Sequence, residues 1–227
     1  MRAEGRIGRS AQESGTKIPS IRVFLLSPAY CGGRRAGIAL KPDSELAIAS
    51  QLRDGTLELG AAFAFFSGLY FRGKLAYAQK FAPDMTATLI ITPTRGLMSP
   101  RERVTPELIR EFAAVDIAAA DLRYRGPLER DVKLLARDLA ADATVVLLGS
   151  VSSGKYVDLL LPLLGNRLRY PTAFIGRGDM SRGGLLLRCV AEGQELHYDS
   201  LTAGVRPRGP RPPKLDPLTR PGGKLKL

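Results

Sequence analysis

The segment 149–155, with the sequence GSVSSGK, has the residue types of a phosphate-binding loop. It follows the apolar run Thr144–Leu148, precedes an apolar helical segment and matches the GxxxxGK part of a P-loop. Backbone amides there could surround a phosphate, with lysine as the counter-charge. Tyr156 replaces the hydroxyl residue that would bind magnesium, so the motif indicates a degenerate phosphate loop or a plain strand–helix turn. The candidate ligands are Gly149, Ser152, Ser153, Gly154 and Lys155.

Basic residues follow each of four predicted strands, in loops that also contain glycine or proline. The carboxyl ends of parallel strands lie at one edge of a sheet, so we expect these loops to meet there. Guanidinium forks beside glycine amides suit phosphate or carboxylate ligands. The alternative is that surface loops simply collect glycine and arginine. The basic side chains concerned are Arg34, Arg35, Arg95, Lys155, Arg177 and Arg182.

Two residues in these loops are candidates for covalent or proton-transfer chemistry. Asp179 lies between two arginines in the loop 176–184 and could orient a substrate or accept a proton. An internal Asp–Arg pair that stabilises the loop is the alternative. Cys31 is close to Arg34 and Arg35, whose charges would lower the pKa of its thiol and make it nucleophilic. The alternative for Cys31 is a small, partly buried thiol.

The composition excludes several classes of site. The chain has one histidine, His197, so sites built from several imidazoles are excluded. No GxSxG elbow is present, which disfavours a Ser-His-Asp hydrolase. Two cysteines exclude a disulfide scaffold. The acidic residues show no spacing typical of metal ligands, so we predict no metal site, and no particular cofactor is indicated.

Apolar strands alternate with helical segments along the chain, which predicts an α/β fold with a Rossmann-like, mostly parallel sheet and helices on both faces. A helix from 57 to 80 should be interrupted at Gly68, and Thr105 should cap another helix. The runs 185–190 and 195–199 flank a turn and predict a C-terminal β-hairpin. The predicted strands are 21–26, 87–92, 144–148 and 173–175.

The net charge of +12 is concentrated at the chain ends. Residues 202–227 carry +6 with six prolines and four glycines, which predicts a disordered basic tail. Residues 1–20 carry +2 and predict a disordered leader, which leaves +4 for a single α/β domain at 21–201. The leader lacks the apolar core of a signal peptide, and no run is long enough to span a membrane. We therefore expect a cytoplasmic protein that does not bind membranes.

Three short segments resemble an uncharacterised bacterial α/β family related to the YaaA-like peroxide-stress DNA-binding proteins. They are 67–76 (SGLYFRGKLA), 90–100 (IITPTRGLMSP) with 104–106 (VTP), and 154–160 (GKYVDLL). The chain departs from that family where Pro93 replaces a small residue and Glu107 stands in place of a tyrosine. The resemblance implies an association with nucleic acid or nucleotide metabolism and assigns no catalytic residue.

These observations support three hypotheses. The leading one is a protein that binds nucleic acid or a phosphorylated small molecule through its strand-end loops and basic tail. The second is a small-nucleotide enzyme that uses 149–155 as its phosphate loop. The third is a non-enzymatic interaction module whose basic tail docks on an acidic partner. The sequence leaves the oligomeric state open.

Overall fold

The computed structural model describes residues 22–213 and residue 215. The predicted leader at 1–20 and the remainder of the predicted tail, residues 214 and 216–227, lie outside the described residues. Among the residues that are described, no helix is both long enough and apolar enough to cross a membrane.

A six-stranded sheet forms the centre of the α/β fold, in the order β3-β2-β1-β4-β5-β6. The four central strands are parallel, whereas β3 and β6 run antiparallel at the two edges. The mostly parallel, Rossmann-like sheet predicted from the sequence is therefore confirmed. The strands are β1 Arg22–Leu26, β2 Thr88–Ile91, β3 Leu97–Met98, β4 Thr144–Leu148, β5 Leu168–Pro171 and β6 Tyr198–Ser200.

Eight α-helices cover both faces of the sheet within the described chain. Helices α1–α5 and α8 pack against one face, while α6 and α7 pack against the other. The helices are α1 Arg34–Ala39, α2 Ala47–Arg53, α3 Leu59–Ser67, α4 Leu69–Phe81, α5 Pro106–Ala113, α6 Leu122–Asp138, α7 Gly154–Leu164 and α8 Asp179–Glu192.

The alternation of side chains along β1 divides the core into two layers. Phe24 and Leu26 pack into the layer beneath α4 and α8, whereas Val23 and Leu25 pack against α6 and α7. Burying each of these side chains contributes about 1.5–3 kcal/mol. Pro28 follows β1 closely and, lacking an N–H group, cannot extend the ladder.

Helices α4 and α8 cross with their backbones in contact. A Cβ atom on Gly73 would lie 2.7 Å from the carbonyl oxygen of Gly183, and one on Gly183 would lie 2.8 Å from the carbonyl oxygen of Leu69. Glycine at both positions allows this close approach. The crossing brings residues 70–74 of α4 beside the first turns of α8.

Two predicted helix boundaries are confirmed. Gly68 has φ +64°, a conformation rarely adopted by other residues, and separates α3 from α4. Thr105 caps α5 by accepting a hydrogen bond from the Leu108 amide at 3.3 Å, with Pro106 as the first helical residue.

The predicted C-terminal hairpin is wrong. Residues 185–190 belong to α8, and β6 pairs antiparallel with β5 instead. Arg182, Leu186 and Cys189 are buried with helical spacing, so the apolar run forms a helix face rather than a strand. The predicted strand at 173–175 is also wrong. Residues Thr172–Phe174 form a 3₁₀ turn directly after β5.

Residues 202–213, the beginning of the predicted basic tail, contain no helix or strand and lie beside the core. Arg206 forms an ion pair with Asp158 of α7. Nη1 of Arg177 donates a hydrogen bond to the Pro213 carbonyl oxygen at 3.4 Å. This part of the tail therefore passes over the loops that follow β4 and β5.

Candidate functional site

The carboxyl ends of the four parallel strands form the edge where ligands bind in open α/β sheets. Successive strands are added outward from β1 to β2 on one side of the sheet, and from β4 to β5 on the other side. The strand order therefore changes direction between β1 and β4. A crevice of about 450 Å³ opens at this point, and we call it the central crevice. Its polar lining includes Ser27, Tyr70, Asp116, Lys155, Tyr156 and Asp179.

A lysine and a serine are in contact beneath the central crevice. Nζ of Lys74 donates to the carbonyl oxygen of Ser27 and lies 2.8 Å from Ser27 Oγ. Oγ of Ser27 also lies 3.3 Å from the Leu148 carbonyl oxygen, to which it donates. Ser27 lines the crevice at the end of β1, and Lys74 reaches it from α4. The pair therefore joins the two elements below the crevice.

Lys74 is 1% exposed, and no described carboxylate lies within ion-pairing distance of its ammonium group. The faces of Tyr70 and Phe71 lie 4.5 and 4.8 Å from Nζ. Burial lowers the pKa of Lys74 to about 7; the negative charge of Asp179 opposes this shift and the positive charge of Arg182 reinforces it. Near neutral pH a substantial fraction of Lys74 is therefore uncharged.

Two buried tyrosines line the central crevice, Tyr70 from α4 and Tyr156 from α7. The Tyr70 hydroxyl has no hydrogen-bond partner of normal geometry among the described residues, although Arg182 lies close enough to oppose the rise in its pKa that burial causes. Burial raises the pKa of Tyr156 to about 12, and interaction with the Ser27 side chain acts in the opposite direction. Both phenols are therefore neutral donors at physiological pH.

A second groove, also of about 450 Å³, lies between the loops that follow β4 and β5, and we call it the basic groove. Three arginines line it, and no described Asp or Glu side chain does. Its polar lining is Ser152, Arg177, Arg182 and Arg208, and Phe174 and Ile175 contribute apolar surface. Three of the predicted phosphate ligands, Ser152, Arg177 and Arg182, therefore meet here.

Hydrogen bonds to the backbone hold two of these arginines in place. Nε and Nη2 of Arg182 donate to the Phe174 carbonyl oxygen at 3.3 and 3.1 Å, while its Nη1 lies 3.6 Å from Asp179. Nε of Arg177 donates to the Ala173 carbonyl oxygen at 3.1 Å. These contacts fix the guanidinium groups before any ligand arrives, which reduces the entropy lost on binding.

Arg95 lies away from both sites, in a lateral crevice beside β3, α5 and α6. Its Nε donates to Glu111 at 2.9 Å and its Nη2 approaches the other carboxylate oxygen at 2.5 Å. Arg103 and Arg130 also line this crevice, together with Glu102, Glu107 and Asp131. With Arg95 and Glu111 included, the carboxylates outnumber the arginines by one, so no net positive charge attracts an anion.

Arg34 and Arg35 begin α1 rather than continuing a loop, and neither lines the three cavities described above. Nη1 of Arg35 donates to the Phe65 carbonyl oxygen at 3.2 Å. Cys31 lines the central crevice but is only 3% exposed. Burial raises the pKa of its thiol to about 12, so the lowered pKa expected from the neighbouring arginines is wrong.

The segment 149–155 consists of the loop 149–153, which connects β4 to α7, and the first two residues of α7, and it separates the two sites. Ser150 and Lys155 line the central crevice, whereas Val151 and Ser152 line the basic groove. A Cβ atom on Gly149 would lie 3.0 Å from the Cβ of Ser27, so glycine allows the close packing of these two positions. Gly154 is the first residue of α7, and Ser153, its N-cap, has a buried hydroxyl without a hydrogen-bond partner among the described residues.

The sequence predicts that Asp179 lies in a loop, but Asp179 is the first residue of α8. Its side chain is 71% exposed, lines the central crevice and lies 3.6 Å from Arg182. The expected Asp–Arg contact is therefore present, while the carboxylate remains available to a ligand in the crevice.

The sequence does not single out Ser27 or Lys74, because Ser27 directly follows a predicted strand and Lys74 lies within a predicted helix. The available signal was the position of Lys74 on the apolar stripe of α4, where Tyr70, Tyr77 and Ala78 are all buried. A lysine on that face must be neutral or hydrogen-bonded, which marks it as unusual.

Within the described residues, no three His, Cys, Asp or Glu side chains are grouped so that they could hold a metal ion. In comparisons with known proteins, no family model, no curated protein and no solved structure matches the chain.

Proposed function

We propose that this chain binds the phosphates of a nucleic-acid backbone in the basic groove, without reading sequence. The observation that carries this proposal is the presence of three arginines around one groove that no described carboxylate lines. Guanidinium groups bind phosphate through paired hydrogen bonds, and such contacts account for most sequence-independent affinity.

The tail favours a polyanion over a single phosphate. Arg208 lies within 202–213, beside the groove, and the sequence continues with further basic residues. The segment 202–227 carries +6 in total, so the sequence concentrates positive charge around and after Arg208. A polymer with regularly spaced phosphates matches this arrangement better than a mononucleotide does.

A mononucleotide in the central crevice is the second candidate function. The position of the crevice between β1 and β4 favours it, because dinucleotide- and mononucleotide-binding α/β proteins use this point of the sheet. Lys155 at the rim would contact phosphate, while Asp116 and Asp179 could accept hydrogen bonds from ribose hydroxyls. The two carboxylates reduce the affinity expected for more highly charged ligands.

The test is fluorescence anisotropy of a labelled single-stranded oligonucleotide, and of its duplex, over a salt series. We expect the affinity of the unmodified chain to fall steeply between about 50 and 200 mM salt. Arg208→Ala should weaken binding and lower the slope of log affinity against log salt by about one. Arg72→Ala, which removes an exposed arginine of α4, is the matched control and should have a smaller effect.

Three competitors separate the hypotheses. Unlabelled oligonucleotide should displace the probe. A nucleoside monophosphate or polyglutamate should not displace it when added at the same total concentration of negative charge. Displacement by the monophosphate, lost in Lys155→Ala, would favour the central crevice. Equal displacement by polyglutamate would favour a tail that docks on acidic proteins. Affinity that is independent of salt would contradict the proposal.

A further inference from the structure

The Ser27–Lys74 pair has no role in the proposed binding of nucleic acid, because it lies beneath the central crevice and not in the basic groove. A buried lysine is costly unless something compensates it, and here the compensation is a carbonyl oxygen and a serine hydroxyl instead of a carboxylate. A neutral amine next to a hydroxyl that lines a crevice is the arrangement of a nucleophile and its base.

We propose that Ser27 is a nucleophile activated by Lys74, and that the central crevice is the site of an acyl-transfer reaction on a carboxylic ester. The Nζ–Oγ distance of 2.8 Å is within reach for direct proton transfer. Serine–lysine pairs provide this chemistry on folds that lack a histidine base. The proposal thus fits a chain whose sole histidine, His197, lies outside the crevice lining.

The protonation state of Lys74 decides the direction of its hydrogen bond to Ser27. The ammonium form donates to both the carbonyl oxygen and Oγ, so it cannot accept the hydroxyl proton. The neutral form can still donate to the carbonyl oxygen while its lone pair accepts from Oγ. The charged groups that act on Lys74 are Asp179 and Arg182 of α8, and their effects on its pKa are opposed. The neutral aromatic rings of Tyr70 and Phe71 also lie beside its Nζ, at 4.5 and 4.8 Å.

The proposed reaction is the hydrolysis of an ester, with water as the second substrate. Lys74 takes the hydroxyl proton as Ser27 Oγ bonds to the acyl carbon, the bond from that carbon to the alcohol oxygen breaks, and Lys74 returns the proton to the departing alcohol. Water then attacks the acyl-serine, Lys74 accepts its proton, and the proton passes to Oγ as the carboxylic acid leaves. One ester and one water become one acid and one alcohol, with no change in oxidation state.

The walls of the crevice fit an acyl compound of modest size. Ala29, Phe112 and Val115 provide apolar surface, and the buried hydroxyl of Tyr70 has no normal partner among the described residues. A phenol donor in that position could bond to an ester oxygen on which negative charge develops. Tyr70 is thus the group we expect to contact the substrate oxygen.

The first test treats the full chain with a fluorophosphonate, which forms an Oγ–phosphorus bond with serine and releases fluoride and a proton. Intact-mass and peptide mass spectrometry should find one adduct on Ser27. Ser27→Ala should abolish it, whereas Ser150→Ala, which removes another serine lining the crevice, should not. Lys74→Met should slow labelling about 100-fold, which is the usual contribution of a general base.

The second test keeps the proposal decidable if Lys74→Met fails to fold, as judged by circular dichroism. In the unmodified chain the labelling rate should rise with pH and reach half its maximum near the pKa of Lys74, about 7. Absence of a Ser27 adduct, a rate that does not depend on pH, or unchanged labelling in a folded Lys74→Met variant would overturn the proposal. Oligonucleotide affinity should be unchanged in Ser27→Ala, so the two proposals fail independently.

Discussion

Gly73 of α4 and Gly183 of α8 are in direct backbone contact, and a Cβ atom added to Gly73 would lie 2.7 Å from the Gly183 carbonyl oxygen. This contact holds Lys74 and Tyr70 of one helix beside Asp179 and Arg182 of the other. The geometry of the central crevice therefore depends on two positions that carry no side chain.

We expect Gly183→Ala to destabilise the fold by about 1–3 kcal/mol, because the added methyl group meets backbone atoms that cannot move aside. Gly37→Ala in α1 is the matched control, since a Cβ there meets nothing within 4 Å. It should leave stability unchanged or raise it by a few tenths of a kcal/mol. Urea unfolding measures both. Equal stabilities of the two variants would contradict the close crossing of α4 and α8.

Lys74 should make the stability of the chain depend on pH. Its folded pKa, about 7, is below the usual 10.5 for lysine, so between these values the unfolded chain binds a proton that the folded chain does not. The free energy of unfolding should therefore rise with pH above about 7, with a slope of at most about 1.4 kcal/mol per unit.

The measurement compares unfolding of the unmodified chain and Lys74→Met between about pH 7 and 8.5. Above this range the Cys31 thiol, whose pKa is raised to about 12 in the fold, would act in the opposite direction. The unfolding free energy of the unmodified chain minus that of Lys74→Met should increase as the pH rises across this range. A constant difference would show that Lys74 keeps its ordinary pKa.

Both cysteines should be unreactive in the folded chain. Cys31 and Cys189 are buried, and burial raises the pKa of both thiols. Ellman's reagent at pH 8 should therefore react slowly with the native chain and with two thiols in denaturant. Rapid labelling of Cys31 in a native Cys189→Ser variant would restore the nucleophilic role that its neighbouring arginines first indicated.

Arg95 should make little contribution to the binding of nucleic acid. Its guanidinium is paired with Glu111 in the lateral crevice, and that crevice contains further carboxylates. Arg95→Ala should change oligonucleotide affinity less than Arg208→Ala does in the same anisotropy titration. A larger loss of oligonucleotide affinity in Arg95→Ala than in Arg208→Ala would place the anion-binding surface at the lateral crevice instead.

The sequence patterns predicted the layers of the fold better than its C-terminal elements. Continuous apolar strands such as Thr144–Leu148 correctly indicated a parallel sheet covered on both faces. The run 185–190 was misread because short apolar runs fit a strand and a helix equally well. In the fold, the buried positions Arg182, Gly183, Leu186 and Cys189 share one helix face, and at Gly183 this face packs closely on α4, a tertiary contact that the run itself does not reveal.

The candidate site was predicted only in part, for a similar reason. Of the six basic side chains expected to meet at one sheet edge, only Arg177 and Arg182 line the basic groove, and both come from the same predicted loop. The expected convergence of four basic loops is wrong. The pairing of Arg95 with Glu111 joins residues that are 16 positions apart, so it is not visible in local sequence. Arg34 begins α1, a helix that the sequence patterns do not predict. Lys74 contacts Ser27 from 47 positions away, so no local spacing reveals the pair.

The most direct test of nucleic-acid binding in the basic groove is amide chemical-shift mapping by NMR during titration with a short oligonucleotide. We predict that the largest shifts fall on the amides around the groove, at Val151, Ser152, Gly176, Arg177 and Arg208. Shifts concentrated around Arg95, or scattered over the surface without a cluster between β4 and β5, would contradict the assignment of this groove as the phosphate-binding site.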